Sequence, residues 1–390
     1  MEWWRTLFRV VDKSNQLMKR ITSLLLFLTT FIWSCSNPHP AEHDSMENMK
    51  HEEHMMHKEH GMSHAEHMMH DPYPVGVMGS LHHEGFMFSI KHGRMTMQGN
   101  IMDGDNISAA DILQMPNPLG SMPPNLSVVP ESMDMCMTMI EGMYAYSKNI
   151  TFMLMGTFMS KDMTLNTYAP MMNRDLLGQF NTSSSDLSEL TFSTLFRIAQ
   201  HGSSQWHGEV AYQKSVGAND QQDMVLTPMN MMMEMVLPYG MQSGDGASRL
   251  ILGITNTRKI NEKLTWGNQF KRNTTLNEKD WSYGNRTELN SWLQYPLNET
   301  VNLSSRLKFI SQGAISGNNL LISAPVQTAN PANYGGEELH LGFGANFKFN
   351  IFSGGNDVLG IEILTTLMQD KNNLQMKTDY QVIVGYQKNF

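Results

Sequence analysis

The stretch Met133-Asp134-Met135-Cys136-Met137-Thr138-Met139-Ile140-Glu141-Gly142-Met143, with Thr151-Phe152-Met153-Leu154-Met155-Gly156-Thr157-Phe158-Met159 after it, puts every methionine on an odd number. A period of two marks a strand, whose successive side chains point to opposite faces. In the second half the even positions Ile150, Phe152, Leu154 and Phe158 make an apolar face suited to lipid or to a core, so the thioethers form the other wall. In the first half Glu141 shares the methionine face, while Ile140, Tyr144 and Tyr146 share the opposite one. A carboxylate is costly against lipid, so both halves give the same assignment: a hairpin whose sulfur-bearing wall turns inward.

The same alternation continues on both sides of this hairpin. Twelve candidate strands fall at 86–98, 132–146, 149–159, 188–200, 204–215, 248–257, 262–272, 283–295, 299–311, 337–350, 357–368 and 376–390. Outward rows are apolar at Leu190, Phe192, Phe196 and Ile198, at Leu339, Leu341, Phe343, Phe347 and Phe349, and at Leu359, Ile361, Ile363 and Leu367. Their inward neighbours are polar: Glu338, His340, Asn346 and Lys348, Glu362 and Thr366, Arg306 and Lys308. Connections after strands one, three, five and nine are long, and those after two, four, six, eight and ten are short. An outer-membrane barrel alternates in this way between tight periplasmic turns and extended outer loops, and a soluble sandwich has no reason to. The last strand carries Tyr380, Val382, Val384, Tyr386 and terminal Phe390 on one face, a pattern like the signal read by the barrel-assembly machinery. The expected fold class is therefore all-β, a transmembrane antiparallel up-and-down β-barrel of about 12 strands, because closure satisfies every backbone group within lipid.

Before the barrel lie two segments of other kinds. Lys19 and Arg20 precede an apolar run from Ile21 to Trp33, too short to span a membrane as a helix, so residues 1–35 read as a leader with its true start at Met18. Cys35 sits in a setting that loosely resembles a lipoprotein cleavage box; with Cys136 it makes two cysteines, too few for a cysteine-based zinc site. Residues 36–73 hold nine of the 15 histidines, His39, His43, His51, His54, His57, His60, His64, His67 and His70, among Met46, Met49, Met55, Met56, Met62, Met68 and Met69. With almost no aliphatic residue this segment is expected to be disordered without metal and to lie in the periplasm. Imidazole with thioether suits copper and silver ions, and the histidines would also accept zinc or nickel. Residues 74–390 are the barrel. The net charge of -9 offers no basic footprint for nucleic acid.

Several short matches resemble a family of bacterial outer-membrane transporter-like β-barrels related to the meta-pathway of phenol degradation, in a His/Met-rich, metal-associated branch. They are Pro74-Val75-Gly76-Val77-Met78-Gly79, Arg94-Met95-Thr96-Met97-Gln98-Gly99-Asn100, Met133 to Met143, Leu237-Pro238-Tyr239-Gly240-Met241-Gln242-Ser243-Gly244, Gly284-Asn285-Arg286-Thr287-Glu288-Leu289 and Gly335-Gly336. Ser80 and Leu81 stand where the family pattern has Asp and His. The resemblance implies the outer membrane of a Gram-negative bacterium and a transport role. It supplies no substrate.

The inner wall, on this register, gathers Met87, Met95, Met97, Met133, Met135, Met137, Met139, Met143, Met153, Met155 and Met159. Neutral sulfur binds Cu(I) or Ag(I) without deprotonation, and many weak sites allow hopping. As ligands the sequence offers His43, His51, His54, His57, His60, His64, His67, His70, Met55, Met56, Met68 and Met69 in the tail. In the wall it offers the same methionines from Met95 to Met159. The leading expectation is a channel or transporter that binds or passes soft metal ions. The alternatives are a channel for small hydrophobic or aromatic compounds, with methionine as flexible apolar lining, and a metal-sequestering surface protein with a closed barrel. Arg197, Glu209, Arg286, Glu288 and Glu362 read as a salt-bridged interior. No Ser and His come together as a nucleophile needs, His201 and Ser203 sharing a turn and His92 having only Ser80 and Ser89 nearby, so no catalysis and no required cofactor are expected.

Overall fold

The computed structural model describes residues 72–350 and 356–390, except His83, Met172 and Glu278. The leader and all the tail ligands from His43 to His70 lie outside the described residues.

Twelve antiparallel strands run in chain order: β1 (Phe86–Met102), β2 (Val128–Ser147), β3 (Ile150–Tyr168), β4 (Leu176–His201), β5 (Ser204–Ser215), β6 (Ser248–Lys259), β7 (Thr265–Thr275), β8 (Arg286–Pro296), β9 (Val301–Gln312), β10 (Gly336–Phe349), β11 (Asn356–Lys371) and β12 (Gln375–Asn389). Each pairs with its sequence neighbour, and β12 returns to β1 from Met87↔Asn389 to Ile101↔Gln375. The closed cylinder therefore has no free edge, which is what lipid demands of a spanning sheet. Gly202, at φ +53, makes the tight turn between β4 and β5, where a side chain would be strained. No helix among the described residues is long and apolar enough to cross a membrane.

The inward assignment of the sulfur rows holds. On β3, Leu154 is 61% exposed and Met153 only 2%, and the same contrast separates Tyr144 from Met143 on β2. The outward rows carry Phe192, Phe196, Leu252, Phe270, Leu293, Leu307, Phe343 and Ile363, all exposed, as a surface that lipid would cover.

Two boundaries differ most from those expected. β3 continues to Tyr168 and β4 begins at Leu176, so the third connection is a short turn and not a long loop. Beyond the apolar belt the outward residues of these strands are polar, Ser160 and Asp162 on β3, Asn181, Ser183 and Ser185 on β4. Apolar alternation stops where lipid stops, but backbone pairing does not need lipid, so the ladder goes on to Tyr168↔Leu176.

The outer connections fold together into the mouth. Leu237, Tyr239, Met241, Trp281, Ile315, Ile322 and Val326 pack with the inward residues Met133, Met163, Phe180 and Met376 in one buried cluster. Wall side chains hold the loop backbone: Lys161 Nζ donates to Gln242 O at 2.6 Å, Ser184 Oγ to Met241 O at 2.6 Å and Ser188 Oγ to Ser243 O at 2.6 Å. Tyr239, Trp281, Tyr283 and Tyr334 stand edge to face within this lid, at centroid distances of 4.9 Å (Tyr239 to Trp281) and 5.4 Å (Trp281 to Tyr283) among others. Edge-on contacts of this kind are favourable beyond the area they bury.

Candidate functional site: a two-sided lumen

The ladders of β1 to β4 set the thioethers in rows across the wall. From the end that carries the short turns, the rows are Met87–Met143–Met153, then Ser89–Glu141–Met155, Lys91–Met139–Thr157, Gly93–Met137–Met159, Met95–Met135–Lys161 and Met97–Met133–Met163. The wall that the sequence assigned is thus brought together by adjacent strands, at about 4.8 Å between neighbours. Lys161 and Met163 belong to it as well, beyond Met159 where the sequence reading of the wall ended.

The ends of this wall are occupied by apolar partners. Met133 and Met163, with Met97 and Met135 against them, are packed into the lid. At the other end Met87, Met143, Met153 and Leu195 form a cluster on which Leu81 rests. Between them Met137, Met155 and Met159 are half-buried, with Met139 buried beside them. These middle rows are the part of the wall left to face the interior.

Leu81 belongs to a segment, Tyr73 to Gly85, that does not lie outside the barrel but threads its interior before turning into β1. Pro74 to Val77 form a turn closed by Val77 N to Pro74 O at 2.8 Å. Its backbone is held by inward side chains around the circumference. Asn346 Nδ2 donates to Tyr73 O at 2.9 Å, Gln269 Nε2 to Met78 O at 2.9 Å and Thr151 Oγ1 to His82 O at 2.6 Å, and His207 Nε2 lies 2.9 Å from Gly79 O. Gly76 sits on a buried ion pair. Arg306 and Glu362 join through two bonds of 2.8 Å, the Gly76 N–H donates to Glu362 Oε2 at 3.1 Å, and Arg306 Nη1 donates to Gly76 O at 3.3 Å. Lys91 Nζ donates to Met78 Sδ at 3.0 Å, which ties this plug to the thioether wall. The ring of Tyr73 lies 5.2 Å from that of Trp292.

The arc opposite the methionines is charged and paired, as expected of an interior that must bury ions: Lys271 with Glu209 at 2.7 Å, Arg286 with Glu288 at 3.0 Å, Lys308 with Glu288 at 3.7 Å and Arg306 with Glu362 at 2.8 Å. Arg197 instead donates to Gln200 Oε1 at 2.7 Å. Isolated buried charges would be prohibitive, and pairing with hydrogen bonds is what makes the arc tolerable. The lumen therefore has one soft apolar side and one ionic side. Among the described residues no group of three or more His, Cys, Asp or Glu is arranged to hold a metal ion. Of the candidate wall ligands Met95, Met97, Met133, Met135, Met137, Met139, Met143, Met153, Met155 and Met159, all share the inward face. The plug is what sequence reading missed, and Gly76 and Gly79, set in a stretch without periodicity, were its signal.

A closed β-barrel of outer-membrane type, with a plug inside it and packed loops over one end, is the class that this geometry defines, and a solved structure it is similar to agrees with the fold. An outer membrane channel from Pseudomonas putida F1 matches with a TM-score of 0.51 at 13% identity, over 82% of this chain and 99% of that one. The P. putida toluene transporter TodX matches with a TM-score of 0.37 at 11% identity, over 79% and 90%. A Pseudomonas aeruginosa FadL homologue matches with a TM-score of 0.36 at 7% identity, over 78% and 89%. At such identities the first likeness speaks for the fold alone, and the other two carry no argument. No protein-family model matches the chain, and no curated protein matches it.

Proposed function

We propose that the chain is a non-enzymatic outer-membrane channel that admits small hydrophobic or aromatic compounds along its methionine wall. One observation carries this reading: at both ends of the wall the thioethers are used as apolar contact surface, in clusters with Leu81 below and with Leu237 and Tyr239 above. The middle rows offer the same surface to a guest, and methionine adapts to guests of different shape. Plug and lid both stand in the path through the barrel, so on this reading passage requires one or both to move.

A second reading, passage of Cu(I) or Ag(I), is favoured by the unbroken continuity of the thioether rows and by the His/Met composition of residues 36–73. The variant Met137→Leu/Met155→Leu/Met159→Leu separates the two, because it keeps apolarity and removes sulfur. Cells expressing it should take up a small aromatic probe as well as cells with the natural chain, the lipopolysaccharide leaflet being itself resistant to such solutes. Vesicles loaded with the purified proteins should release Ag(I) no faster than empty ones. Aromatic uptake that ignores the natural chain, together with Ag(I) release that the triple substitution abolishes, would reverse the assignment.

A further inference from the structure

The outer connection between β5 and β6 carries thioethers that neither lid nor lumen uses. Within it Gln222–Leu226 pairs with Met232–Val236 as a short hairpin, in the register Gln222↔Val236 to Leu226↔Met232. One side of the hairpin is anchored. Val225 is buried in the lid cluster, Thr167 Oγ1 donates to Leu226 O at 2.7 Å, and Ser183 N donates to Asp223 Oδ2 at 2.8 Å. Its tip is also fixed: Thr227 N donates to Met231 O at 2.9 Å, Asn230 N to Thr227 O at 2.9 Å, and Asn230 takes φ 57. An asparagine tolerates that left-handed position.

Around this fixed turn Met224, Met229, Met231, Met232 and Met233 are exposed, Met229 by 71%. Exposed apolar area gains nothing from folding, and the other side of the hairpin already supplies the anchor, so apolarity does not explain five thioethers here. What methionine has and leucine lacks is sulfur. Met224 stands opposite Glu234, and Met232 is its diagonal neighbour on the same face. Diagonal neighbours lie about 7–8 Å apart, within the joint reach of two unbranched side chains. The hairpin from Gln222 to Val236 contains no Lys, Arg or His and carries Asp223 and Glu234. The local field therefore favours a cation, and no imidazole competes with the sulfurs for it.

From this placement we infer a site on the outer connection for a soft monovalent ion, Cu(I) or Ag(I), held by the thioethers of Met224 and Met232 with Glu234 on the same face, while Met233, opposite Val225, lies on the anchored face and takes no part. Neutral thioether is matched to such ions and needs no proton removed to bind them. The site does not depend on what crosses the lumen, since it stands outside the wall.

The test uses the full chain in nanodiscs, with Ag(I) as probe and hydrogen peroxide as a footprinting reagent. Peroxide converts an unligated thioether to its sulfoxide, and a ligated sulfur has its lone pair engaged. With Ag(I) added until binding saturates, peptide mass spectrometry should show oxidation at Met224 and Met232 slowed by about tenfold or more while Met233 on the other face keeps its rate, and the variant Met224→Leu/Met232→Leu should bind about one ion fewer per chain. Oxidation at Met224 and Met232 that is indifferent to saturating Ag(I), or that slows no more than at Met233, would overturn the inference. So would a folded two-leucine variant that binds as many ions as the natural chain. Should that variant fail to fold, the footprint on the natural chain decides alone.

Discussion

Gly76 is the position at which the plug can be tested most sharply. A Cβ there would overlap Arg306 Nη2 and Glu362 Oε2. Both atoms are tips of flexible side chains, but they hold each other through two bonds of 2.8 Å at side-chain exposures of 0% and 1%, so neither can swing aside without opening the pair. Gly76→Ala must therefore give up the bonds from Gly76 N to Glu362 and from Arg306 to Gly76 O, or push the segment away. Each bond to a charged partner contributes about 1.5–3 kcal/mol, so the substitution costs docking about 3–6 kcal/mol. At about 1.4 kcal/mol per factor of ten, the undocked fraction rises by roughly a hundredfold or more. In planar bilayers the variant should show open-channel events that the natural chain rarely shows. Of the bonds to the plug, Asn346→Ala removes the neutral one to Tyr73 O, 2.9 Å long, and should raise the open fraction about fivefold for a loss of about 1 kcal/mol. A Gly76→Ala barrel that is folded, shown by heat-modifiable migration, and conducts no more than the natural one would refute the plug as the occluding element.

Other expectations follow from the same contacts. His82, whose Nε2 is buried without a hydrogen-bond partner, is held below the usual imidazole range by burial, against the pull of Glu84. Its folded pKa being lowered, the neutral form supports docking above about pH 6.5, and that support is lost as pH falls below this value, so conductance should rise on acidification and His82→Asn should flatten the profile. In the lid, burial pushes the Asp245 carboxyl up but hydrogen bonding to Arg249 more than offsets it, with Tyr283 N and Ala247 N also donating, and the net shift is downward. A lowered carboxyl stabilises above its unfolded pKa, so hydrogen exchange in 217–247 should stay slow down to about pH 4 and quicken below it. Trp281→Ala, at a side chain only 2% exposed, should cost the lid about 3–5 kcal/mol, read as faster exchange in the outer connections with the strands unchanged; uniform loss across the barrel would contradict a separately stabilised lid.

How much of this was open to reading from sequence depended on whether two environments met across a strand. Where lipid lies on one side and an enclosed space on the other, alternation is forced, and the inward face of Met133 to Met159 and the outward row Leu359, Ile361, Ile363 could be assigned residue by residue. Above the lipid the contrast vanishes. Thr182 and Ser184 face in while Ser183 and Ser185 face out, chemically alike, so the rise of β3 and β4 left no pattern. The plug left none for another reason. It is held through its backbone oxygens and one N–H by Gln269, Arg306, Asn346 and Glu362, partners separated from it by 191, 230, 273 and 286 residues, and backbone recognition does not constrain side-chain type. Only the glycines, required by close approach, showed that something was near.

The unusual number of methionines then has a mechanical explanation that holds whichever cargo crosses. Both ends of the wall contact elements, the plug below and the lid above, that must leave if the barrel is ever to open. A branched aliphatic wall would hold its shape and expose unfilled grooves when either departed, whereas an unbranched thioether with three rotatable bonds can fold into the space vacated. Met87, Met143 and Met153 around Leu81, and Met133 and Met163 beneath Tyr239 and Met241, are placed where such repacking is needed. Replacing Met143 and Met153 by Ile should therefore leave the closed barrel as stable or more so while slowing opening, seen as fewer conductance events at unchanged event size. If the Ile variant opened as often as the natural chain, adaptability would not be why methionine stands there, and the sulfur's affinity for soft ions would have to be the reason.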